Sequence, residues 1–345
     1  MMRSTVRTTT SLLMILACAS CADYSAPSSV PNPPDTTFAE GLWTMSGSLP
    51  AILRLSSSQL QASDSVTPAT SITTNSAALG GFNGIAFDAA GTMWVTSQQA
   101  SALLAFKQSS LENSGVRIAS TVIAAAAGSL DAPSALAFDA SHNLWVANTN
   151  NGTVVRFDAA QLATSGTPTP AVILSGLGHP TGLAFDAAGG LWFSQSDAHR
   201  LAKFSAAQLD TSGFKLPAVV LTSDGPDIGN PVGLAFDAAG NLWIANSGRS
   251  NIAAILANHL TTTAFVNADI VISSNSLTPL LPLGVAFDDH QNLWVAYAEG
   301  ELARYDRAML AASGAPAPAV RVVVSDLQLF RSIAFWPKPA GLPLN

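Results

Sequence analysis

The chain has 345 residues, of which 48% are hydrophobic and only 11% are charged, and its formal net charge is −7. This length and this hydrophobic content exclude a disordered chain and allow a sizeable buried core. The acidic balance argues against nucleic acid as a partner, because nucleic acid binds to basic faces.

The first residues have the pattern of an export signal. Arg3 and Arg7 precede a short apolar run, far below the roughly 20 residues of a membrane-spanning helix. Ile15-Leu-Ala-Cys18 resembles a bacterial lipobox, in which the cysteine is lipidated and becomes the mature N-terminus. Cys21 fits this pattern less well, and an ordinary A-x-A cleavage site also fits. We therefore expect a signal peptide at 1–17 and a protein of the bacterial cell envelope, lipid-anchored at the outer membrane or periplasmic side, or secreted.

The segment that follows has the composition of a tether. Both cysteines of the chain precede residue 22, so the rest of the chain cannot form a disulfide. Residues 22–37 contain four prolines and little that a core could bury. We interpret residues 18–39 as the lipidated N-terminus and an extended tether. No later segment reaches the length of a transmembrane helix.

A repeat of about 50 residues governs the chain after residue 40. Gly84-Ile-Ala-Phe-Asp88 recurs four times with small changes, and a tryptophan follows seven residues after each phenylalanine. The tryptophans of the series are Trp43, Trp94, Trp145, Trp192, Trp243 and Trp294. Each unit contains four short strand-like runs, A to D, that are apolar on both faces. Four strands in each repeat are typical of a β-propeller blade.

The two ends of the repeat region complement each other. The unit of Trp43 lacks a strand A, and the chain ends with Ser332-Ile-Ala-Phe335, a strand A that no strand B follows. The sequence therefore predicts an all-β, six-bladed propeller at 40–337, with four-stranded blades. We expect the ring to be closed by a C-terminal innermost strand, which removes a free sheet edge and leaves a tail at 338–345.

The repeated A-F-D-x-x-G-N-L-W-V-A-N pattern resembles NHL-repeat propellers. It is also similar to the gluconolactonase/senescence-marker-protein group and to the streptogramin lyases, over about residues 41–336. The resemblance implies the fold and leaves the function open, because such propellers include both enzymes and binding modules.

The lactonase-like propellers hold a divalent metal in the channel mouth through Glu, Asn and Asp residues from different blades. Glu40-Gly-Leu-Trp43 and Asn83-Gly84 resemble two of these elements. The essential Asp has no counterpart before strand A, where this chain has Ser134, Thr181, Val232 and Leu283. Because a hard cation needs oxygen ligands that usually include carboxylates, we expect no metal and no cofactor.

The resemblance to streptogramin lyases implies a histidine base beside a carboxylate. His179 precedes strand A of the fourth blade, and Asp197, His199 and Arg200 lie in its B–C loop. The D–A and B–C loops emerge on the same face of a propeller, so these side chains can converge. The alternative interpretation is an ordinary polar loop.

Two rings of side chains are the remaining candidates. The residue three positions after each strand-B tryptophan is polar in every blade: Ser46, Ser97, Asn148, Gln195, Asn246 and Tyr297. The second ring precedes each strand A: Asn83, Ser134, Thr181, Val232, Leu283 and Arg331. We expect both rings to rim the central channel and to suit a polar neutral or anionic ligand. The alternative is that these side chains only form hydrogen bonds with backbone groups at the ends of the strands.

These patterns favour a cell-envelope propeller that acts as a ligand-binding or protein-interaction scaffold without catalysis. Its partner would be a small polar ligand or an envelope protein, and we expect a monomer that does not bind nucleic acid. A hydrolase or lyase in the channel mouth is the alternative. The predicted binding residues are Asn83, Asn148, Thr181, Gln195, His199, Arg200, Asn246, Tyr297 and Arg331.

The anchor can be tested by changing Cys18→Ala. We expect this variant to leave the membrane fraction, because the cysteine follows the lipobox-like residues and no disulfide uses it. Fractionation of cells, with mass spectrometry of the mature N-terminus, measures this. An unmodified Cys18 inside the mature chain would contradict the prediction.

Overall fold

The computed structural model describes residues 41–47, 50–76, 79–126, 128–223, 227–274, 280–324 and 330–339. The predicted signal peptide, Cys18, Cys21 and the tether at 18–39 lie outside these residues. The described residues belong to one compact unit, Thr37–Asn345. They form six sheets whose inner strands contact one another in a cycle, which confirms the all-β six-bladed propeller. None of the helices in the described ranges has the length and hydropathy that a membrane crossing requires.

Each blade contains four antiparallel strands, ordered A to D from the channel outwards. The strands A, in the order of blades 1 to 6, are β28 (Phe330–Trp336), β5 (Phe82–Phe87), β10 (Pro133–Phe138), β14 (Pro180–Phe185), β19 (Pro231–Phe236) and β24 (Pro282–Phe287). The strands B are β1 (Gly41–Ser46), β6 (Met93–Ser97), β11 (Leu144–Asn148), β15 (Leu191–Gln195), β20 (Leu242–Asn246) and β25 (Leu293–Tyr297). The strands C are β2 (Ala51–Leu55), β7 (Ala102–Phe106), β12 (Thr153–Phe157), β16 (Arg200–Phe204), β21 (Asn251–Ile255) and β26 (Glu301–Tyr305). The strands D are β4 (Thr70–Thr74), β9 (Thr121–Ala124), β13 (Val172–Ser175), β18 (Val219–Thr222), β23 (Ile270–Ser273) and β27 (Val320–Val324).

Several loops contain a short 3-10 helix. These helices are Gln108–Ser110, Ala159–Leu162, Ala206–Gln208, Ser247–Arg249, Ala257–His259 and Arg307–Leu310. All but Ser247–Arg249 follow a strand C, and a buried leucine at or just after each of these five pins the turn.

An aspartate closes the A–B turn in blades 2 to 6. One carboxylate oxygen accepts two backbone N–H groups of the turn, and the other accepts the indole N–H of the strand-B tryptophan. In blade 3 the bond from Trp145 Nε1 to Asp139 Oδ2 is 2.9 Å long. The five aspartates are Asp88, Asp139, Asp186, Asp237 and Asp288. The aspartate therefore determines both the turn and the orientation of the indole.

Asp186 shows the electrostatic consequence of this arrangement. Burial alone would raise the pKa of its carboxyl, but hydrogen bonds from Lys203, the Gly190 N–H and Trp192 lower that pKa below its ordinary value. A lowered pKa in the folded state means that these hydrogen bonds stabilise the fold at pH values above the ordinary Asp pKa. This contribution is lost as the pH falls through the lowered value.

The same tryptophans join neighbouring blades. The Trp145 ring meets Phe185 of the next blade edge-on, with ring centroids 6.2 Å apart. The equivalent pair across the point of ring closure, Trp294 and Phe335, has a centroid distance of 6.4 Å. Such aromatic pairs add about 0.5–1.5 kcal/mol beyond the area they bury. The same contact recurs at five of the six junctions between blades in the described residues.

The repeated glycine of strand A permits neighbouring inner strands to approach closely. A Cβ on Gly84 would lie 2.8 Å from the carbonyl oxygen of Ser134 in the next blade, closer than Cβ atoms are found in proteins. Gly233 has the same relation to Leu283. A side chain here would force the blades apart and widen the channel.

The C-terminal strand closes the ring, as the sequence predicts. β28 pairs antiparallel with β1, so that Leu42 faces Phe335 and Thr44 faces Ile333. The Thr44 hydroxyl also donates to the carbonyl of Ser332, at 3.0 Å. Blade 1 is therefore built from both ends of the propeller sequence.

Strand pairing between neighbouring blades also closes the ring on its outer rim, a feature that the sequence does not predict. The C–D connection of each blade pairs in parallel with strand D of the preceding blade, either as a short strand or as a single bridge. The short strands are β3 (Asp64–Val66), β8 (Gly115–Arg117), β17 (Gly213–Phe214) and β22 (Ala264–Phe265). β3 of blade 1 pairs with β27 of blade 6, so the outer edges also form a closed ring.

A hydroxyl group accompanies every one of these outer contacts. It accepts a backbone N–H of the preceding strand D at 2.9–3.0 Å. The six residues are Ser63, Ser114, Ser165, Ser212, Thr263 and Ser313. The contact covers sheet edges that would otherwise be available for pairing with another chain.

Removing residues 330–345 should abolish the closed ring. The deletion opens one edge of blade 1 and removes the partner of Trp294, so we expect a large, cooperative loss of thermal stability. Deletion of residues 340–345 alone is the matched control and should leave the melting temperature nearly unchanged. An unchanged melting temperature for the longer deletion would contradict the role of β28.

Candidate functional site

The six inner strands enclose a central cavity of about 330 Å³. We call the end at which the strands A begin the mouth, and the end with the A–B turns the lower end. The second residues of the strands A all line the mouth: Asn83, Ser134, Thr181, Val232, Leu283 and Arg331. These six residues, the mouth ring, therefore lie where the sequence predicts.

A β-bulge positions the mouth ring in every blade. The A–B pairing shifts register just after the first residue of strand A, for example between Pro180 and Leu183 in blade 4 and between Pro133 and Ala135 in blade 3. A bulge leaves the extra residue outside the ladder and redirects its side chain. The mouth-ring residues occupy these bulges.

Two hydroxyls of the mouth ring form hydrogen bonds with other groups of the propeller. Ser134 Oγ donates to the carbonyls of Ala147 and Pro180, the second of which belongs to the next blade. Thr181 Oγ1 lies 2.8–3.2 Å from Ser194 Oγ, Ser196 Oγ and the carbonyl of Pro231. For both residues, the structure therefore shows a local hydrogen-bonding role.

Asn83 and Arg331 differ from these two residues. Only 8% of Asn83 is exposed, and its side-chain amide has no hydrogen-bond partner among the described residues. The Arg331 guanidinium likewise has no ion-pair or hydrogen-bond partner within the described ranges, and burial lowers its pKa from the ordinary value. Gln98 of blade 2, which the sequence did not single out, lines the same part of the cavity. Its amide also has no described partner.

The predicted ring of polar residues at the ends of the strands B does not rim the channel. Asn148, Gln195, Asn246 and Tyr297 are almost completely buried and are absent from the cavity lining. The Asn246 amide accepts the Gly229 N–H and donates to the Asp227 carbonyl. Asn148 and Gln195 bind the corresponding loops of blades 3 and 4, and the Tyr297 hydroxyl lies 3.1 Å from that of Tyr305.

The placement of this ring corrects the expectation for the channel. A strand B begins at the lower end and ends at the mouth, beside the loop that enters strand A of the same blade. A polar side chain at this point can bond that loop, which has backbone groups to satisfy. Four members of the ring therefore hold the loops that enter strand A, namely Ser97, Asn148, Gln195 and Asn246.

The predicted cluster of blade 4 is partly assembled. His179 Nδ1 contacts the Asp197 carboxylate, and both side chains are about half exposed. His199 faces elsewhere, since its Nδ1 accepts the Asn230 N–H at 2.9 Å. Arg200 donates to the amide oxygen of Gln195, so its guanidinium forms a hydrogen bond within its own blade.

The cavity offers poor ligands for a metal. No carboxylate or histidine occurs among the described residues that line it. On the lower face, Asp288, Asp289 and His290 approach within 4.8 Å of one another. Asp288 already accepts hydrogen bonds from Asn292 and Trp294, and the other two are exposed on the A–B turn.

The model of the family described as SMP-30/Gluconolactonase/LRE-like region matches residues 44–225, more than half of the chain. No curated protein matches the chain significantly. Among solved structures, a nidogen/laminin complex is 14% identical, with a TM-score of 0.58 over 85% of this chain and 96% of the other.

Two lyase structures are also similar. A catalytically inactive virginiamycin B lyase from Staphylococcus aureus with quinupristin is 13% identical, with a TM-score of 0.52 over 76% of this chain and 75% of the other. A streptogramin B lyase is 14% identical with a TM-score of 0.49, and the chain spans 66% of its length, just under two thirds. Similarity at this level of identity shows the fold alone.

The different roles of the two rings predict different costs of mutation. Asn246→Ala should lower the free energy of unfolding by about 1–3 kcal/mol, because it leaves buried backbone groups without partners. Asn83→Ala is the matched control and should cost at most about 0.5 kcal/mol, since no described group depends on its amide. Urea unfolding measures both, and equal losses would contradict the assignment.

Proposed function

The chain belongs to the SMP-30/gluconolactonase/LRE-like family, and we propose that it is a ligand-binding propeller whose site is the channel mouth. The observation that carries the proposal is the set of polar groups without described partners on one side of the mouth. Arg331 comes from blade 1, and Asn83 and Gln98 come from blade 2. The inner strands of these two blades are neighbours. A guanidinium beside two amides suits a carboxylate or phosphate group, which accepts several N–H donors at once.

The distribution of charge supports an anionic ligand. The chain carries a formal net charge of −7, yet the described cavity lining contains two cations, Arg331 and Lys338, and no carboxylate. The Arg331 guanidinium carries a positive charge at neutral pH, because arginine side chains are not deprotonated in proteins. Partial burial makes a positive charge favour an anion more strongly than it would in bulk water.

The proposed setting is the bacterial cell envelope, with a lipid anchor on Cys18 and a monomeric propeller. In this setting the mouth would receive a soluble small ligand or an envelope protein.

A second candidate is a lyase or hydrolase at the same face. The contact between His179 and Asp197 favours it, because a carboxylate on one ring nitrogen orients a histidine so that the other nitrogen can act as a base. Turnover of quinupristin, followed by chromatography and lost in His179→Ala, would support this candidate. The absence of carboxylates and histidines from the described cavity lining supports the binding function instead.

The anion site can be tested with radiolabelled acetate in equilibrium dialysis at constant ionic strength. Arg331→Gln should weaken binding about 10- to 100-fold, which corresponds to the 1.5–3 kcal/mol of a hydrogen bond to a charged group. Arg307→Gln is the matched control, because it removes the same charge from an exposed position at the lower end. Equal affinities of the three proteins would contradict the proposed site.

A further inference from the structure

We propose that the ligand is an amphipathic anion, with one carboxylate or phosphate head at Arg331 and Asn83 and an apolar tail that lies in the central channel. This inference rests on the proposed function and specifies its ligand class. It follows from what lines the channel behind the mouth ring.

The layer of side chains that lines the channel just below the mouth ring is entirely aliphatic. The fourth residue of every strand A lines the cavity, and none of the six is polar. They are Ile85, Leu136, Leu183, Leu234, Val285 and Ile333, and each is 5–7% exposed. We call them the tail ring. Since inner-strand residues with this spacing face the same way, the tail ring lies directly beneath the mouth ring.

The apolar lining continues in both directions from the tail ring. Towards the lower end, Phe87, Phe287 and Phe335 line the same cavity. At the mouth, Leu283 lies on the blade next to Arg331, on the side away from Asn83. A charged head that contacts Arg331 would therefore have aliphatic surface both beside it and below it. A small polar anion would leave that surface exposed to water.

The dimensions favour a single extended tail. In the three strands whose phenylalanine lines the cavity, this phenylalanine and the mouth-ring residue are four residues apart, a distance of about 13 Å. The cavity volume of about 330 Å³ lies at the lower end of the range for small-molecule sites. The close approach of neighbouring inner strands at Gly84 and Gly233 keeps the channel narrow. A linear alkyl chain fits such a space better than a fused ring system.

The lower end is compatible with this arrangement. Lys338 and Pro339 line it, and Lys338 is exposed. A lysine can keep its ammonium in water while its alkyl stem covers apolar surface. Its charge adds to the positive potential of a channel without described carboxylates.

The test compares acetate, hexanoate and decanoate with uncharged decanol by titration calorimetry on the full propeller. Decanoate is kept below its critical micelle concentration and decanol below its solubility limit. We expect affinity to rise about three- to fourfold for each added methylene, the factor that corresponds to about 0.8 kcal/mol per buried CH2. Arg331→Gln should weaken decanoate binding about 10- to 100-fold and leave decanol binding unchanged.

A second variant tests the tail separately. Val285→Thr keeps the shape of the side chain and places a hydroxyl in the tail ring, so it should weaken decanoate binding several-fold without changing acetate binding. Thermal unfolding of both variants confirms that the propeller is intact.

The outcomes separate this inference from the proposed function. Acetate and decanoate that bind equally well, both through Arg331, would overturn the amphipathic ligand and leave the anion site in place. Decanol that binds as tightly as decanoate would overturn the pairing of head and tail. Failure of every carboxylate to bind in an Arg331-dependent way would overturn the anion site and this inference with it.

Discussion

One joint between neighbouring blades determines the rest of the molecule. The tryptophan of strand B donates its indole N–H to an aspartate of its own blade and packs edge-on against a phenylalanine of the next blade, as in Asp139, Trp145 and Phe185. The hydrogen bond orients the ring, and the ring sets the angle between blades. The tryptophan–phenylalanine contact recurs at five of the six junctions between blades, and one of these is the point of closure, where β28 brings Phe335 to Trp294.

Closure of the ring in turn determines the width of the channel and the positions at which its lining differs from blade to blade. Glycine at the third position of strand A keeps most inner strands close, so the cavity has the width of a small ligand. The bulges hold the mouth ring outside the regular ladder, although the hydroxyls of Ser134 and Thr181 still bond carbonyls of the next blade. A repeated scaffold thus carries six positions whose residues differ from blade to blade, which is how rigid strands commonly present a binding site. In this chain Arg331 is the cation among them.

The sequence predicts the blades, their number and the closing strand, because the tryptophan period and the unmatched strand at Ser332–Phe335 are strong signals. It does not distinguish the two polar rings. Asn83 and Asn246 are both asparagines at strand ends, and only the bulge and the neighbouring loop decide which amide faces the channel. The outer closure also escapes prediction, since two-residue strands such as Gly213–Phe214 have no recognisable period. The recurring hydroxyl, as at Ser212, is the signal that could reveal it.

We infer that the polar groups of the mouth and the aliphatic tail ring form one continuous site. A crystal structure of the propeller with a fatty acid brominated at its terminal carbon tests this directly, because the anomalous signal of bromine locates the tail without reference to the rest of the density. We expect bromine within the channel, near the tail ring or the phenylalanines below it, and the carboxylate on Arg331. An ordered bromine outside the channel, or a carboxylate bound at the lower end with the tail towards the mouth, would contradict it.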